Sequence, residues 1–407
     1  MSDAERFPFK KVAVAAYLPT ILFAIGEGAI IPYIPVIAGD LGASLAVAGL
    51  VAAMMTVGEL AGSVPGGMLV GRLGERATMI YAGLATILAL SLAWFATEPW
   101  MLGLAILVTG VATAIFALAR HAFMTTYVPY RYRARALSAL GGTFRLGLFI
   151  GPLLASGIIA LGAPVQVTIW LFVGGCLAAV VVLFFLPDPQ STFESGKGHE
   201  GAETVERETV RLGDTLRRYA KTLGTVGVGA AMLALARKGR DVIIPLWAVS
   251  IGVDAATTGL IVGIAGAVDF LLFFVSGLVM DRFGRLWAVV PSLILMGAGF
   301  ATLAATHDGT AALVGLLVGA GLLAVANGMS SGILMTLGAD LADRMNPAPF
   351  LGAWRLTTNA GGAIAPLGVA ALIQASSIVT AGFALVATCA IGVVVLVKTL
   401  PRGKPGG

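Results

Sequence analysis

The chain reads as a succession of long apolar runs separated by short polar breaks. Taking each break as a boundary predicts twelve helices: α1 at 12–38, α2 at 44–70, α3 at 76–96, α4 at 99–128, α5 at 134–160, α6 at 164–186, α7 at 219–250, α8 at 255–281, α9 at 286–306, α10 at 309–340, α11 at 348–374 and α12 at 377–398. The runs are continuously apolar rather than alternating, which selects helices over a barrel. Each is near or above the roughly 20 residues that a hydrocarbon layer about 30 Å thick demands. One break is much longer than the others. From Pro187 to about Tyr219 the chain turns to Ser, Gly, Glu and Arg, so residues 1–187 and 219–407 are expected to be two six-helix bundles joined by a linker, 188–218. The spacing of Glu203, Arg207 and Arg211 predicts a surface helix in the later part of that linker.

Composition agrees with the pattern. Hydrophobic residues make up 58% of the chain and charged ones 12%, about half the charged fraction of a soluble domain, and the mean hydropathy is +0.95. This is a polytopic membrane protein whose partner is the lipid bilayer. The polar stretch from Met1 to Lys11 leads into an apolar segment too long for a signal peptide, so it is expected to be retained. A net charge of +5 and a pI near 9.4 would fit a nucleic-acid partner, but the placement of the charges excludes one. Twenty of the 26 arginines and lysines fall in the termini, the linker and the connections on one side, and the opposite loops hold none. By the positive-inside rule both termini and the linker are expected to be cytoplasmic in a cell (inner) membrane, and the Ala- and Gly-rich composition suits a bacterial source. Cys176 and Cys389 each sit inside an apolar run and read as small fillers rather than a disulfide.

The two halves repeat one another. Gly277-Leu-Val-Met-Asp281-Arg282-Phe-Gly284-Arg285 closes one helix and starts the next, and Gly67-Met-Leu-Val-Gly71-Arg72-Leu-Gly74-Glu75-Arg76 is a damaged copy with glycine in the acidic position. Ile30-Ile-Pro32 matches Ile243-Ile-Pro245, Glu59 matches Asp269, and Pro152 matches Pro366. Two six-helix halves with a linker is a layout of transporters whose substrate site lies near the bilayer midplane.

These residues resemble the major facilitator superfamily, whose Gly-x-x-x-Asp-Arg-x-Gly-Arg loop follows the second and eighth helices; Gly277 to Arg285 matches it well and Gly67 to Arg76 in part. Gly147-Leu-Phe-Ile-Gly151-Pro152-Leu-Leu-Ala155 resembles the helix-5 motif of the twelve-helix drug:proton antiporter branch, with Ala155 in place of the usual glycine. Arg120 falls where that branch carries a buried arginine. The resemblance implies an all-α membrane protein of two pseudo-symmetric six-helix bundles. It puts α1, α4, α7 and α10 around a cavity, α2, α5, α8 and α11 between the halves, and α3, α6, α9 and α12 outside. It also implies a cytoplasmic latch made by Asp281, Arg282, Gly284 and Arg285 with Arg72 and Arg76, and a bend in α5 at Gly147, Gly151 and Pro152.

Charges inside the apolar runs carry the chemistry, because each costs about 2.5–3.5 kcal/mol at the bilayer centre unless paired or hydrated. They are Glu27, Glu59, Arg120, Arg145, Arg237, Lys238, Arg240, Asp241, Asp269, Asp340 and Arg355, with His121 beside Arg120. The interiors of α3, α6, α9 and α12 have none and can face lipid. At about 1.5 Å per residue, Arg120, Glu59 and Asp269 lie roughly 15–20 Å from the basic loops. Glu27 and Arg120 are expected to form a switchable pair, and Asp269, with Glu59, to exchange protons, since burial favours a neutral carboxyl and a nearby arginine a charged one. Static ion pairs are the alternative. Arg240 is expected to face the cavity and Asp241 a neighbouring helix, with a purely structural role for both as the alternative. Phe116 and Met124 share a face with Arg120 and are candidate substrate contacts; Asn327, with Ser330 and Ser331, is another, or bonds its own helix turn. The stripe Gly58, Gly62, Gly66 is expected to allow close crossing and sliding between the halves.

Together these features point to a secondary active transporter, a proton-coupled antiporter for multidrug efflux of small amphipathic compounds by alternating access, with a small-molecule substrate and protons as partners and a monomer as the working unit. A transporter of an organic anion or metabolite is the alternative, because six embedded basic residues face five acids. A non-transporting membrane sensor is the less favoured reading, since such a protein is expected to carry an added soluble domain. No metal-ligand cluster, nucleophile motif or phosphate loop is present, so no enzyme, cofactor or metal is expected.

Overall fold

The computed structural model describes residues 9–128, 130–185, 216–342 and 347–400, and among them every regular element is helical. The surface helix expected around 203–211 lies outside the described residues. In the first half, α1 has two pieces, Phe9–Ile30 and Ile34–Asp40, joined by a 3-10 turn at Ile31–Tyr33. The second residue of that turn is Pro32, whose ring removes one backbone donor. It is followed by α2 (Leu45–Leu73), α3 (Glu75–Ala93), α4 (Pro99–Tyr127), α5 (Tyr130–Ala160) and α6 (Val167–Phe185). In the second half, α7 opens with Ala220–Thr222, passes through a π turn at Leu223–Gly227 and continues as Val228–Ser250. Then come α8 (Ala255–Phe283), α9 (Arg285–Thr306), α10 in two pieces (Ala312–Met329 and Ile333–Leu341), α11 (Pro347–Ala375) and α12 (Ile378–Thr399). Eleven helices are long and apolar enough to cross a membrane among the described residues. The exception is α7, which has the length but carries Arg237, Lys238, Arg240 and Asp241.

The chain divides into two compact units, residues 1–37 with 54–201 and residues 38–53 with 202–407. The first turns of α2 belong to the second unit, where Gly49 lies against Leu246 and Ala370. Within the first unit α1 packs on α5 and α6, and α3 on α4 and α6. Within the second, α7 packs on α11 and α12, and α9 on α10 and α12. One packing plan is thus used twice, as the repeated motifs require. Large exposed side chains such as Leu88 on α3, Phe185 on α6, Trp287 on α9 and Phe383 on α12 are apolar, so these helices, charged only at their ends, present surfaces suited to hydrocarbon.

Glycine sets how closely the helices approach. A Cβ at Gly58 would run into the Leu107 carbonyl oxygen, one at Gly62 into the Val111 backbone, and one at Gly110 into the Met55 carbonyl oxygen. The stripe Gly58, Gly62, Gly66 therefore seats α2 on α4 inside the first unit, and the expectation that it serves sliding between the halves is corrected. The reason is a matching small residue, Gly110, on the facing helix. Gly147 and Gly151 do the same for α5, which meets the backbone of α1 at Ala24, Ile25 and Ala29. The helical run of α5 continues through Pro152.

Gly58→Ala is expected to lower stability by about 1–3 kcal/mol, the usual cost of overpacking. Gly71→Ala, whose new methyl would meet open space within a helix, is expected to leave stability unchanged or raise it by up to about 1 kcal/mol. Thermal unfolding of purified protein, followed by a thiol-reactive fluorophore on the buried Cys176 and Cys389, measures both.

Candidate functional site

Polar side chains gather in one cluster within each unit. In the first, Arg120 on α4 and Glu27 on α1 are 6% and 4% exposed, and the carboxylate lies near enough to act electrostatically on the guanidinium. The same guanidinium stands over the Phe144 ring of α5, 4.2 Å from its centroid, a cation–π contact. Its Nε has no hydrogen-bond acceptor among the described residues. Cys176 of α6 also lies within electrostatic reach of Glu27. The structure thus brings Glu27 and Arg120 together, as the sequence-predicted pair requires. It does not bring Phe116 or Met124 to an open face. Both are closed off, and Phe116 stacks on Phe23 with ring centroids 4.3 Å apart, while Phe23 meets Phe172 edge-on at 5.2 Å. These rings are packing that holds α1, α4 and α6 together beside the charged pair.

The second unit builds its cluster around the break in α10. After Met329 the helix stops; Gly332 takes φ +79°, a conformation that only glycine adopts without strain, and Ile333 begins the next piece. A break in an apolar helix leaves carbonyl groups that water cannot reach, and they must find donors within the protein. The Ile333 amide donates to the Ser330 carbonyl at 3.3 Å, and two side chains supply further donors. Arg237 of α7 donates from Nη1 to the Ser330 carbonyl at 3.3 Å and from Nε to Asn327 Oδ1 at 2.8 Å. Ser276 of α8 lies 2.9 Å from the Met329 carbonyl and 2.7 Å from the Ser331 carbonyl, within donating distance of either. Asn327, a sequence-predicted substrate contact, is held by this arginine.

Asp269 and Arg240 border the same break. Asp269 is 9% exposed, and α10 passes so closely that a Cβ on Gly328 would lie 3.2 Å from its carbonyl oxygen. Arg240 lies within electrostatic reach of Asp269. It also pairs with its own neighbour, donating to Asp241 Oδ1 from Nε at 3.1 Å and Nη2 at 2.8 Å. The expectation that Arg240 and Asp241 serve different partners is therefore corrected: adjacent side chains on a helix can meet when the arginine folds back along it. Glu59, on α2, is half-buried, and Arg355 is exposed.

The repeated turn is built twice with different partners. Gly74 and Gly284 take φ +77° and +93°, so each glycine allows one helix to end and the next to begin at once. In the second unit Arg285 donates from Nε to Asp340 Oδ2 at 2.8 Å, lies 3.6 Å from Asp281 and bonds the Met280 carbonyl. This places Asp340 at a helix end, bonded to the turn, rather than among the mid-membrane charges. Arg282 approaches the Phe283 ring. In the first unit Glu75 occupies the place of Arg285 and accepts from Thr126 Oγ1 at 2.8 Å. Arg76 covers the last carbonyls of α6, donating to Leu183 at 2.8 Å and Phe184 at 2.9 Å. Arg72 is exposed. Sequence reasoning missed the roles of Arg237 and Ser276. The pair Gly328 and Gly332 flanking Ser330-Ser331 was the available signal, since glycine and serine crowded inside an apolar run can mark a break as well as a packing face.

The Major Facilitator Superfamily model matches residues 17–235 and again 226–407. The chain belongs to this superfamily. It is 26% identical over 325 residues to an MFS-type transporter of Bacillus subtilis, YddS, spanning 76% of this chain and 73% of that one. It is 24% identical over 307 residues to the class B tetracycline resistance protein of Escherichia coli, spanning 72% of this chain and 73% of the relative. A 29% match to the class H protein of Pasteurella multocida covers 35% of this chain and 36% of that one, so it spans little more than a third of that relative. Among solved structures, a D-xylose-proton symporter superposes with TM-score 0.74 at 16% identity, covering 98% of this chain and 99% of the other; the nucleoside transporter NupG gives 0.72 at 13%, covering 96% and 99%. At these identities the superposition speaks for the fold. This major facilitator protein is therefore a multi-pass membrane transporter and not an enzyme.

Replacing Arg237 by leucine is expected to take this donor from Asn327 Oδ1 and to leave the Ser330 carbonyl with the Ile333 amide alone, at a cost of about 1.5–3 kcal/mol for bonds to a charged group. Lysine, which offers a single ammonium where the break meets two N–H groups, should recover only part of this. The same cysteine-labelling melt reads both variants.

Proposed function

We propose that the protein is a proton-coupled exporter of small amphipathic compounds, working by alternating access in the cell membrane with both termini and the linker on the cytoplasmic side. The observation that supports this reading best is a buried carboxylate beside an arginine in each unit: Glu27 with Arg120, and Asp269 with Arg240. A carboxylate in such a place stays ionised while the guanidinium is close and takes a proton when the pair opens, so a conformational cycle that opens and closes the pair carries protons. The tetracycline resistance proteins among the relatives favour efflux. Glu59, half-buried on α2, is a secondary proton carrier in this scheme.

Transport of an organic anion or metabolite is a second reading. Buried donors Arg120 Nε and Arg240 Nη1 have no acceptor among the described residues, and an anionic group could supply one. Purified protein in vesicles with an imposed proton gradient, given a panel of dyes, drugs and carboxylates, separates the readings by the charge of what moves. Asp269→Asn is expected to abolish gradient-driven movement while leaving the protein folded; unchanged gradient dependence would remove Asp269 from the coupling path.

The turn after α8 is proposed as the main conformational latch, because Asp281 has only glycine as its counterpart in the first unit. Asp281→Ala is expected to slow transport strongly and Gly71→Ala mildly in the same vesicles. Equal effects would count against the asymmetry.

A further inference from the structure

The far end of the second unit, opposite the Asp281–Arg285 turn, holds a hydrogen-bonded set that transport as described does not use. Ser250 is the last residue of α7, and His307 follows the last residue of α9. The His307 ring sets Nε2 3.1 Å from Ser250 Oγ and Nδ1 2.8 Å from Asp308 Oδ1. Ser250 Oγ is also 2.8 Å from the Trp247 carbonyl, and the Trp247 and His307 rings meet edge-on, 5.1 Å between centroids. The His307 side chain is 19% exposed and that of Asp308 92%, so water reaches the set.

Counting hydrogens shows which form of the ring satisfies every bond. Ser250 has one hydrogen, and the bond to the Trp247 carbonyl consumes it. The bond between Ser250 and His307 must then be donated by Nε2. Asp308, as a carboxylate, has no hydrogen to give, so the other bond must be donated by Nδ1. Only the imidazolium satisfies all three bonds together. A neutral ring carries one N–H and gives up one of the three, whichever tautomer it adopts. The surroundings favour the cation as well. The helices α7 and α9 both end here, and helix C-termini are partially negative.

We propose that His307, Ser250 and Asp308 form a proton-binding site at the adjoining ends of α7 and α9, and that an ambient proton bound there ties the two helix ends together. No other charge is found against it among the described residues. The charged residues of α7 end at Asp241, about 13 Å back along the helix. The other helices packed here bring glycine: Gly315 of α10 against Thr306, and Gly382 of α12 against Trp247 and Ala304. Asp254, in the loop beyond Ser250, accepts from the Thr257 amide at 2.9 Å. Histidine is the side chain whose charge ordinarily changes between about pH 5 and 8. In the proposed orientation this end faces outward, so the site reads external pH. It does not depend on the proposed proton coupling or on any substrate.

The direction of the effect follows from linkage. A folded state that holds the proton more tightly than the unfolded chain is stabilised at low pH and loses that increment as pH rises through the folded-state titration. The test uses the full chain in lipid nanodiscs with nitrogen-15-labelled histidine, the His307 signals being assigned with His307→Gln. Between pH 8 and 5.5 both ring nitrogens of His307 are expected to become protonated, and the melting temperature of the wild type to rise relative to His307→Gln. Asp308→Asn and Ser250→Ala keep the ring but remove a partner. Each is expected to move the nitrogen-15 signal of the ring nitrogen that loses its partner, Nδ1 for Asp308→Asn and Nε2 for Ser250→Ala, and to shrink the rise in melting temperature. A ring that stays singly protonated at pH 5.5 would overturn the proposal, and so would partner variants whose ring signals and melting match the wild type. Should His307→Gln fail to fold, the two partner variants still separate these outcomes. Because no transport is measured, failure here leaves the export reading standing, and the reverse also holds.

Discussion

An arginine inside a bundle wrapped in hydrocarbon cannot stay ionised at tolerable cost without acceptors from its own protein. That requirement organises both units. In the first it is met by an acid and an aromatic face, Glu27 and Phe144 around Arg120. In the second it is met by backbone: Arg237 takes a carbonyl that the break in α10 exposes. A continuous helix spends its carbonyls on itself, so the break creates acceptors and the arginine supplies donors. Neither could be left alone in an apolar layer.

The two solutions sit at related places in the repeat. With Ile30-Ile-Pro32 laid over Ile243-Ile-Pro245, Glu27 falls on Arg240, an acid in one half and a base in the other. The link between the first and fourth helices of each half survives this exchange. It runs from Arg120 on α4 to Glu27 on α1 in one unit, and from Arg237 on α7 to Asn327 on α10 in the other. What is kept is a buried polar tie between the same pair of helices, while the helix that carries the arginine changes. Such a tie constrains helix rotation more strongly than apolar packing, because an alternative rotamer would leave an unpaired charge.

Much of this architecture was legible in the residues. Helix boundaries follow the polar breaks to within a few residues, since each break is a place where the chain can leave hydrocarbon; α8 was expected to end at 281 and ends at Phe283. The proximity of Glu27 and Arg120 was also legible, because two opposite charges at similar depth in one bundle have few other partners. Three features were not. The glycine stripe on α2 announces close packing without naming the facing helix, and its partner proved to be α4. The break in α10 depends on Gly332 at φ +79°, yet in sequence that glycine looks like any of the packing glycines around it. The Ser250, His307 and Asp308 set joins residues more than fifty positions apart, and neither serine nor histidine at a helix end signals it alone.

The duplicated turn shows what the repeat leaves free. Its glycine is indispensable in both copies, since φ near +80° to +90° admits little else. The residue after it opens a helix and has one task in both, to reach the end of the helix that follows, and chemistry of either sign can do it. Glu75 accepts from Thr126 at the end of α4, and Arg285 donates to Asp340 at the end of α10. Once Glu75 takes that role, an acid at position 71 would face no arginine one turn on, where Arg285 meets Asp281 across the same interval. Glycine at 71 is therefore consistent with the sign reversal at 75. The damaged copy of the motif reads as a compensated one, with Arg76 turned to the α6 carbonyls.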